Sequence, residues 1–132
     1  MPNTLIIKRK IKNFNKIIKV SGDKSLSIRW VLFSSLSEGV SSAKNLLLSE
    51  DVLAALGAIK KLGIKSKVNK NICKIYGKGI NGYKYKKNIS INAKNSGTLG
   101  RLILGFLVNT SHPIKIYGDK SLSKRDFSRI SN

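Results

Sequence analysis

The stretch "GDKSLSIR" at Gly22–Arg29 returns as "GDKSLSKR" at Gly118–Arg125, with seven of eight letters unchanged. Each copy follows an apolar, strand-like segment and opens a run with helical character, so each reads as a strand-to-helix turn. Such a turn gathers unpaired backbone N–H groups and the positive end of a helix dipole at one place. Lysine adds an ammonium and serine a hydroxyl. An arginine four residues after that serine adds a guanidinium fork on the same helix face. The combination suits a phosphate or a carboxylate. It equally suits an ordinary turn in which Ser25 caps the helix and Arg29 stays in water. It is not a P-loop, which requires G-x-x-x-x-G-K-[ST].

Working outward, "TLIIK" at Thr4–Lys8 and "KIIKV" at Lys16–Val20 read as short strands separated by a basic, polar stretch. Ser25–Ser37 carries Leu26, Ile28, Val31, Leu32 and Leu36 at amphipathic helical spacing, with Glu38-Gly39 expected to end the helix. "SSAKNLLLS" at Ser41–Ser49 reads as a strand. Ser49 is the expected N-cap of a helix Asp51–Leu62, with Glu50 and Asp51 complementing its dipole and Gly63 stopping it. Val52, Leu53, Leu56 and Ile59 form its expected buried side.

"IKSKV", "ICKIYG", "NISINA" and "PIKIYG" are further expected strands. Gly77, Gly79 and Gly82 mark a loop, and "NSGT" leads into a helix bearing Leu99, Leu102, Ile103 and Phe106. The order is β-α-β-α-β-β followed by β-α-β. The expected class is therefore α/β (α+β), a repeated βαβαββ unit completed once at about 21–82 and begun again at about 83–132. Residues 1–20 supply the preceding strands.

The bulk composition bounds the rest. A chain of 132 residues with 41% hydrophobic content supports one ordinary globular domain. Lys plus Arg outnumber Asp plus Glu by 26 to 6, a formal charge of +20. Three sources fit that excess: a polyanion partner, the Lys-, Asn- and Ile-rich usage of an AT-rich genome, or acidic surface on a part of the protein outside this sequence. Aromatic content of 7% and the lack of a helix-turn-helix or base-stacking pattern count against a specific nucleic-acid partner. Cys73 is the single cysteine, so neither an internal disulfide nor a Cys-based metal site is expected. His112 precedes Pro113 and suits a loop. The early apolar run "TLII" is too short for a signal peptide or membrane span, which makes a cytoplasmic protein with no membrane contact the expectation.

"NAKNSGTLGR" at Asn92–Arg101 repeats the theme of the opening turn. Asn95 or Ser96 can cap, Gly97 admits a ligand to the backbone, Thr98 adds a hydroxyl, and Arg101 lies one turn on. Taken together, "SGDKSLSIR", "NSGTLGRLILG" and "GDKSLSKR" resemble the 5-enolpyruvylshikimate-3-phosphate synthase family in order and spacing, from about Lys16 to Arg125. The intervening "LLLSEDVLAALGAIKKLGI" is similar to that family as well.

The resemblance implies two domains of three βαβαββ units closing on their ligands, of which this chain carries an N-terminal part. Residues 1–20 then correspond to strands packing on the other domain. It implies a monomer that transfers the enolpyruvyl group of phosphoenolpyruvate to shikimate 3-phosphate, releasing phosphate, with no metal or organic cofactor. By motif match, Lys24, Ser25 and Arg29 hold shikimate 3-phosphate. Lys24, Gly97 and Arg125 meet phosphoenolpyruvate, with Asn95, Thr98 and Arg101 in support. The family's proton-transferring acid lies beyond Asn132, so no catalytic residue is assigned and the fragment is expected to need the remaining C-terminal part.

Two departures stand out. Asp126 follows Arg125 where the family has proline, and an acid there is expected to weaken the arginine's hold on an anion. Ile28 and Trp30 flank Arg29 in place of a polar and a small residue. Two other readings stay open: a basic nucleic-acid-binding module, and the related UDP-N-acetylglucosamine enolpyruvyl transferase. Against the latter stand Lys24-Ser25, where a Lys-Asn pair is usual, and the strand-like setting of Cys73, where the relative has a loop cysteine.

Overall fold

Asp23 begins the first helix by accepting a hydrogen bond from Leu26 N at 2.6 Å, which satisfies one of the unpaired donors of α1 (Lys24–Leu36). The structure is a computed structural model and describes residues 6, 8, 15 and 17–131. The buried row of α1 is Ser27, Ile28, Val31, Leu32, Ser34 and Ser35, so the helix presents small hydroxyls beside branched apolar groups. Leu26 lies off that row and is 63% exposed, contrary to the sequence expectation. A residue two positions before Ile28 is turned about 200° around the axis, away from the core.

The helix stops at Ser37, whose backbone is extended and whose hydroxyl donates to Ser34 O at 2.9 Å. Glu38 and Gly39 were expected to end the helix; instead they begin β1 (Glu38–Lys44). The strand expected at Ser41–Ser49 breaks at Asn45, whose φ of 58° turns the chain out of the sheet. Next, α2 (Glu50–Lys61) buries Val52, Ala55, Leu56, Ala58 and Ile59, while Leu53 is left 53% exposed. Gly63, at φ 85°, ends that helix as expected.

The strands β2 (Lys65–Asn69), β3 (Ile72–Lys78), β4 (Ser90–Asn92) and β5 (Lys115–Tyr117) follow, with α3 (Gly97–Phe106) between the last two. Two short helices close the chain, α4 (Lys120–Ser123) and α5 (Ser128–Ser131). The strand expected at Thr4–Lys8 falls, but for Ile6 and Lys8, outside the described residues. The one expected at Lys16–Val20 does not form: residues 17–20 have no regular structure, and Ile17 is 98% exposed. No described strand pairs with them, so their apolar side chains gain nothing from extension against this chain.

The first sheet has the order β1-β3-β2, with β3 antiparallel to both neighbours. β1 and β2 therefore run parallel, joined by α2 and split by the inserted β3. The second unit places β4 and β5 side by side and parallel, joined by α3. One hydrophobic cluster spans both units, from Ile28, Leu32 and Ile75 to Ile91, Leu99 and Ile103. The mixed α/β class expected from the sequence is the class observed.

The two serine N-caps differ in a measurable way. Ser96 Oγ accepts from Leu99 N at 3.2 Å at the start of α3. Ser49 stands at the N-cap of α2 but makes no side-chain cap bond, and its buried Oγ has no partner among the described residues. Ser96→Ala should lower unfolding stability by about 1 kcal/mol. Ser49→Ala removes no bond and relieves a buried unpaired hydroxyl, so it should be neutral or stabilising by up to about 1 kcal/mol. Urea denaturation of both variants checks the contrast.

Candidate functional site

The repeated octapeptide has the same local chemistry in both places. Asp23 accepts from Leu26 N at 2.6 Å and Asp119 from Leu122 N at 2.8 Å, each capping its helix. Ser27 Oγ donates to Asp23 O at 2.6 Å, and Ser123 Oγ to Asp119 O at 2.9 Å. Asp and the second serine are thus spent on building the turn. Lys, the first serine and the terminal arginine are left for other work. The cap is Asp23, not Ser25.

Each turn is pinned against a neighbouring one. A β-carbon on Gly22 would collide with Asn45 O, and Ser27 Oγ accepts from Leu47 N at 3.1 Å. The start of α1 is therefore fixed beside the loop that feeds α2. A β-carbon on Gly118 would come 2.6 Å from Lys94 O, which also accepts from Asp119 N at 3.0 Å. The second GDKS turn is thereby fixed beside the turn that feeds α3. Lys94 itself sits at φ 54°, a left-handed position.

Ion pairs join these junctions into one line. Lys24 Nζ lies 3.1 Å from Asp51 Oδ2, linking the starts of α1 and α2. Lys94 Nζ lies 3.9 Å from Glu50 Oε1, linking the starts of α2 and α3. From Asn95 the line continues to Arg125, whose Nη2 donates to Asn95 Oδ1 at 2.8 Å. Lys94 and its acidic partner were not foreseen in the sequence; a lysine beside "NSGT" was the available signal, but nothing local tied it to Glu50.

At the start of α3 two guanidinium groups converge. A β-carbon on the buried Gly97 would come 2.5 Å from Arg125 Nη1 and 3.1 Å from Arg101 Nη1. Arg101 is held by its Nη2 bond to Asp126 O at 3.0 Å and lies over the Phe127 ring, 5.1 Å from its centroid. Neither arginine is in an ion pair among the described residues, where the pairs are those of Lys24 and Lys94.

Asp126, expected to weaken Arg125, sends its carboxylate elsewhere: Oδ1 accepts from Ser128 N at 2.7 Å and Oδ2 from Ser128 Oγ at 2.9 Å. Those bonds, with a smaller contribution from Arg101, hold its carboxyl below the ordinary range.

The structure thus brings Asn95, Gly97, Arg101 and Arg125 into contact and joins Lys24 to them through Asp51, Glu50 and Lys94. Ser25 and Thr98 are half-buried beside Lys24 and Gly97 respectively. Arg29 is exposed one turn into α1 and is in no ion pair among the described residues, so the structure does not join it to this line of contacts. Cys73 is buried in β3, and burial pushes its thiol up. His112 lies in a loop, its carbonyl accepting from Tyr85 Oη at 3.1 Å.

Comparison with known proteins bears on this arrangement. Residues 8–132 match the family described as EPSP synthase (3-phosphoshikimate 1-carboxyvinyltransferase). A 3-phosphoshikimate 1-carboxyvinyltransferase from Bacillus cytotoxicus is 40% identical over 124 residues, covering 94% of this chain and 29% of the relative. The enzyme of that name from Vesicomyosocius okutanii is 41% identical over 115 residues, covering 87% of this chain and 26% of the relative. An EPSP synthase structure from Acinetobacter baumannii superposes with a TM-score of 0.80 at 36% identity, covering 86% of this chain and 26% of the other. The chain thus spans less than a third of the length of these relatives, and it belongs to the EPSP synthase family.

Proposed function

We propose that this chain forms one wall of the cleft in which a 3-phosphoshikimate 1-carboxyvinyltransferase moves the enolpyruvyl group of phosphoenolpyruvate onto shikimate 3-phosphate. The observation that carries the reading is the convergence of Arg101 and Arg125 above Gly97, two cations at a helix N-terminus, neither of them in an ion pair among the described residues. Like charges so placed repel unless an anion joins them. A phosphate or carboxylate there receives forked hydrogen bonds and the dipole of α3.

In this reading Arg125 and the Gly97 backbone hold phosphoenolpyruvate, with Asn95, Thr98 and Arg101 supporting them. Lys24 spans both substrates, exchanging its Asp51 contact for a ligand oxygen. Ser25 and Arg29 hold shikimate 3-phosphate. These groups supply binding, orientation and charge stabilisation as the addition and the elimination proceed. Proton transfer falls to a group on the remaining part of the enzyme, which completes a monomeric cytoplasmic protein. The related UDP-N-acetylglucosamine enolpyruvyl transferase fits less well, because a buried cysteine of raised pKa is a poor reactive thiol.

The test is complementation. The chain is mixed with the separately produced remainder of the Bacillus cytotoxicus relative, and phosphate release is followed with both substrates. Neither part should turn over by itself, the mixture should, and Lys24→Ala should lower its rate at least 100-fold. Ordinary turnover by the isolated chain, or a mixture indifferent to Lys24→Ala, would overturn the reading.

A further inference from the structure

The three-stranded sheet covers the core with one face and turns the other to solvent. Cys73 and Ile75 point inward, so the register puts Val40, Tyr76 and Lys65 side by side on the outer face, with Ser42, Lys74 and Lys67 in the next row. Of the eleven outer positions, five are lysine (Lys44, Lys65, Lys67, Lys74 and Lys78) and one, Glu38, is acidic. None of the five is in an ion pair among the described residues.

Edge protection explains part of this pattern, since β2 is an edge strand and lysine discourages edge-to-edge pairing. It does not explain Lys74, which lies on the central strand directly opposite Lys67. Like charges in that register destabilise a sheet, and a polyanion laid across the face removes the penalty.

Tyr76 adds a chemical preference. Its half-buried ring sits on the central strand and lines an open groove of about 720 Å³ together with Lys60, Lys65 and Lys67. An aromatic ring amid ammonium groups on an open sheet is suited to stack a base while the lysines meet the phosphates on either side.

We propose that this outer face binds single-stranded nucleic acid without sequence preference, through Tyr76 and the lysines of β2 and β3. The proposal is independent of the anion site between the helix N-termini, which uses none of these residues.

The experiment measures fluorescence anisotropy of labelled oligo(dT) and oligo(U) twelve-mers with the full 132-residue chain over a salt series. Replacing Lys65, Lys67 and Lys74 together by glutamine should flatten the slope of log K against log salt by about 2, from roughly 0.7 per lost phosphate contact. The same change at Lys115, Lys120 and Lys124, exposed residues of the second unit, should leave the slope in place. Tyr76→Leu should weaken binding about 5- to 150-fold at constant slope, the loss of one stacked base. Equal losses from both lysine triples would reduce the effect to overall charge and overturn the proposal. So would binding insensitive to Tyr76→Leu that inorganic polyphosphate matches in affinity.

Discussion

Gly77→Ala should remove much of the chain's unfolding stability, roughly 4 kcal/mol, and pull its urea midpoint sharply down. Gly77 lies on β3 opposite Gly39, with its missing side chain directed at the last turn of α1. A β-carbon there would overlap the backbone carbonyls of Ser34 and Ser37 and come 2.8 Å from Ser37 Oγ. The carbonyls cannot retreat independently: Ser34 O accepts from Ser37 Oγ at 2.9 Å, and Ser37 O accepts from Gly79 N at 3.0 Å. Relieving the overlap means lifting the end of α1 off the strand, which opens the contacts of Val31 and Leu32, both fully buried.

Overpacking of a rigid site costs about 1–3 kcal/mol, and separating helix from sheet adds to that. A total of roughly 4 kcal/mol is a large part of the 5–15 kcal/mol that holds a domain together. Gly57→Ala is the control of opposite sign. Gly57 is exposed in the middle of α2 with open space where a β-carbon would stand, so alanine should stabilise by about 1 kcal/mol. Urea midpoints of the two variants should move in opposite directions.

Those two glycines also show what was legible in the sequence. Local chemistry could be read directly: the turn before α1, the serine before α3 and the stop at Gly63 all act within four residues of themselves. Rows of apolar residues were readable only in outline. Leu26 and Leu53 have the right character, but which side of a helix is buried depends on its neighbours, and the serines and alanines that line the core of α1 and α2 carry weak hydrophobic signals. "NLLLS" resembles a strand, yet the left-handed Asn45 and the packing of Gly22 against its carbonyl convert it into the loop that sets α2 beside α1.

The candidate site divides in the same way. Lys24, Gly97 and Arg125 stood out through their motifs, because turn, cap and glycine signals cluster around each. Their assembly rests on pairs far apart in the chain, Lys24 with Asp51, Lys94 with Glu50 and Arg125 with Asn95, and no spacing rule reports those. Asp126 shows the converse. Its place beside Arg125 suggested competition, whereas its carboxylate serves Ser128 and its carbonyl holds Arg101.

Arg125→Gln should lower the affinity for phosphoenolpyruvate about 100-fold in the reassembled enzyme, about 2.8 kcal/mol. The guanidinium is held in a fixed place: one terminal nitrogen is tied to Asn95 at 2.8 Å, and the other faces Gly97 beside Arg101. Glutamine keeps a donor for a single hydrogen bond but loses the charge and the fork, which together make the strong part of an arginine–phosphate contact. Arg125→Lys retains charge without the fork and should fall between, about 10-fold weaker than the parent.

Gly97→Ala approaches the same contact from the other side. The nearest atoms its β-carbon would meet are the ends of two flexible arginine side chains, so folding should survive while Arg125 is pushed off its present place. Affinity should fall with the urea midpoint unchanged, unlike Gly77→Ala, where the midpoint itself collapses. Titration calorimetry on the three variants, with denaturation curves beside it, separates the outcomes. Phosphoenolpyruvate binding to Arg125→Gln at parental strength would mean that the convergence above Gly97 is a feature of folding, with its two positive charges simply tolerated at an exposed helix end.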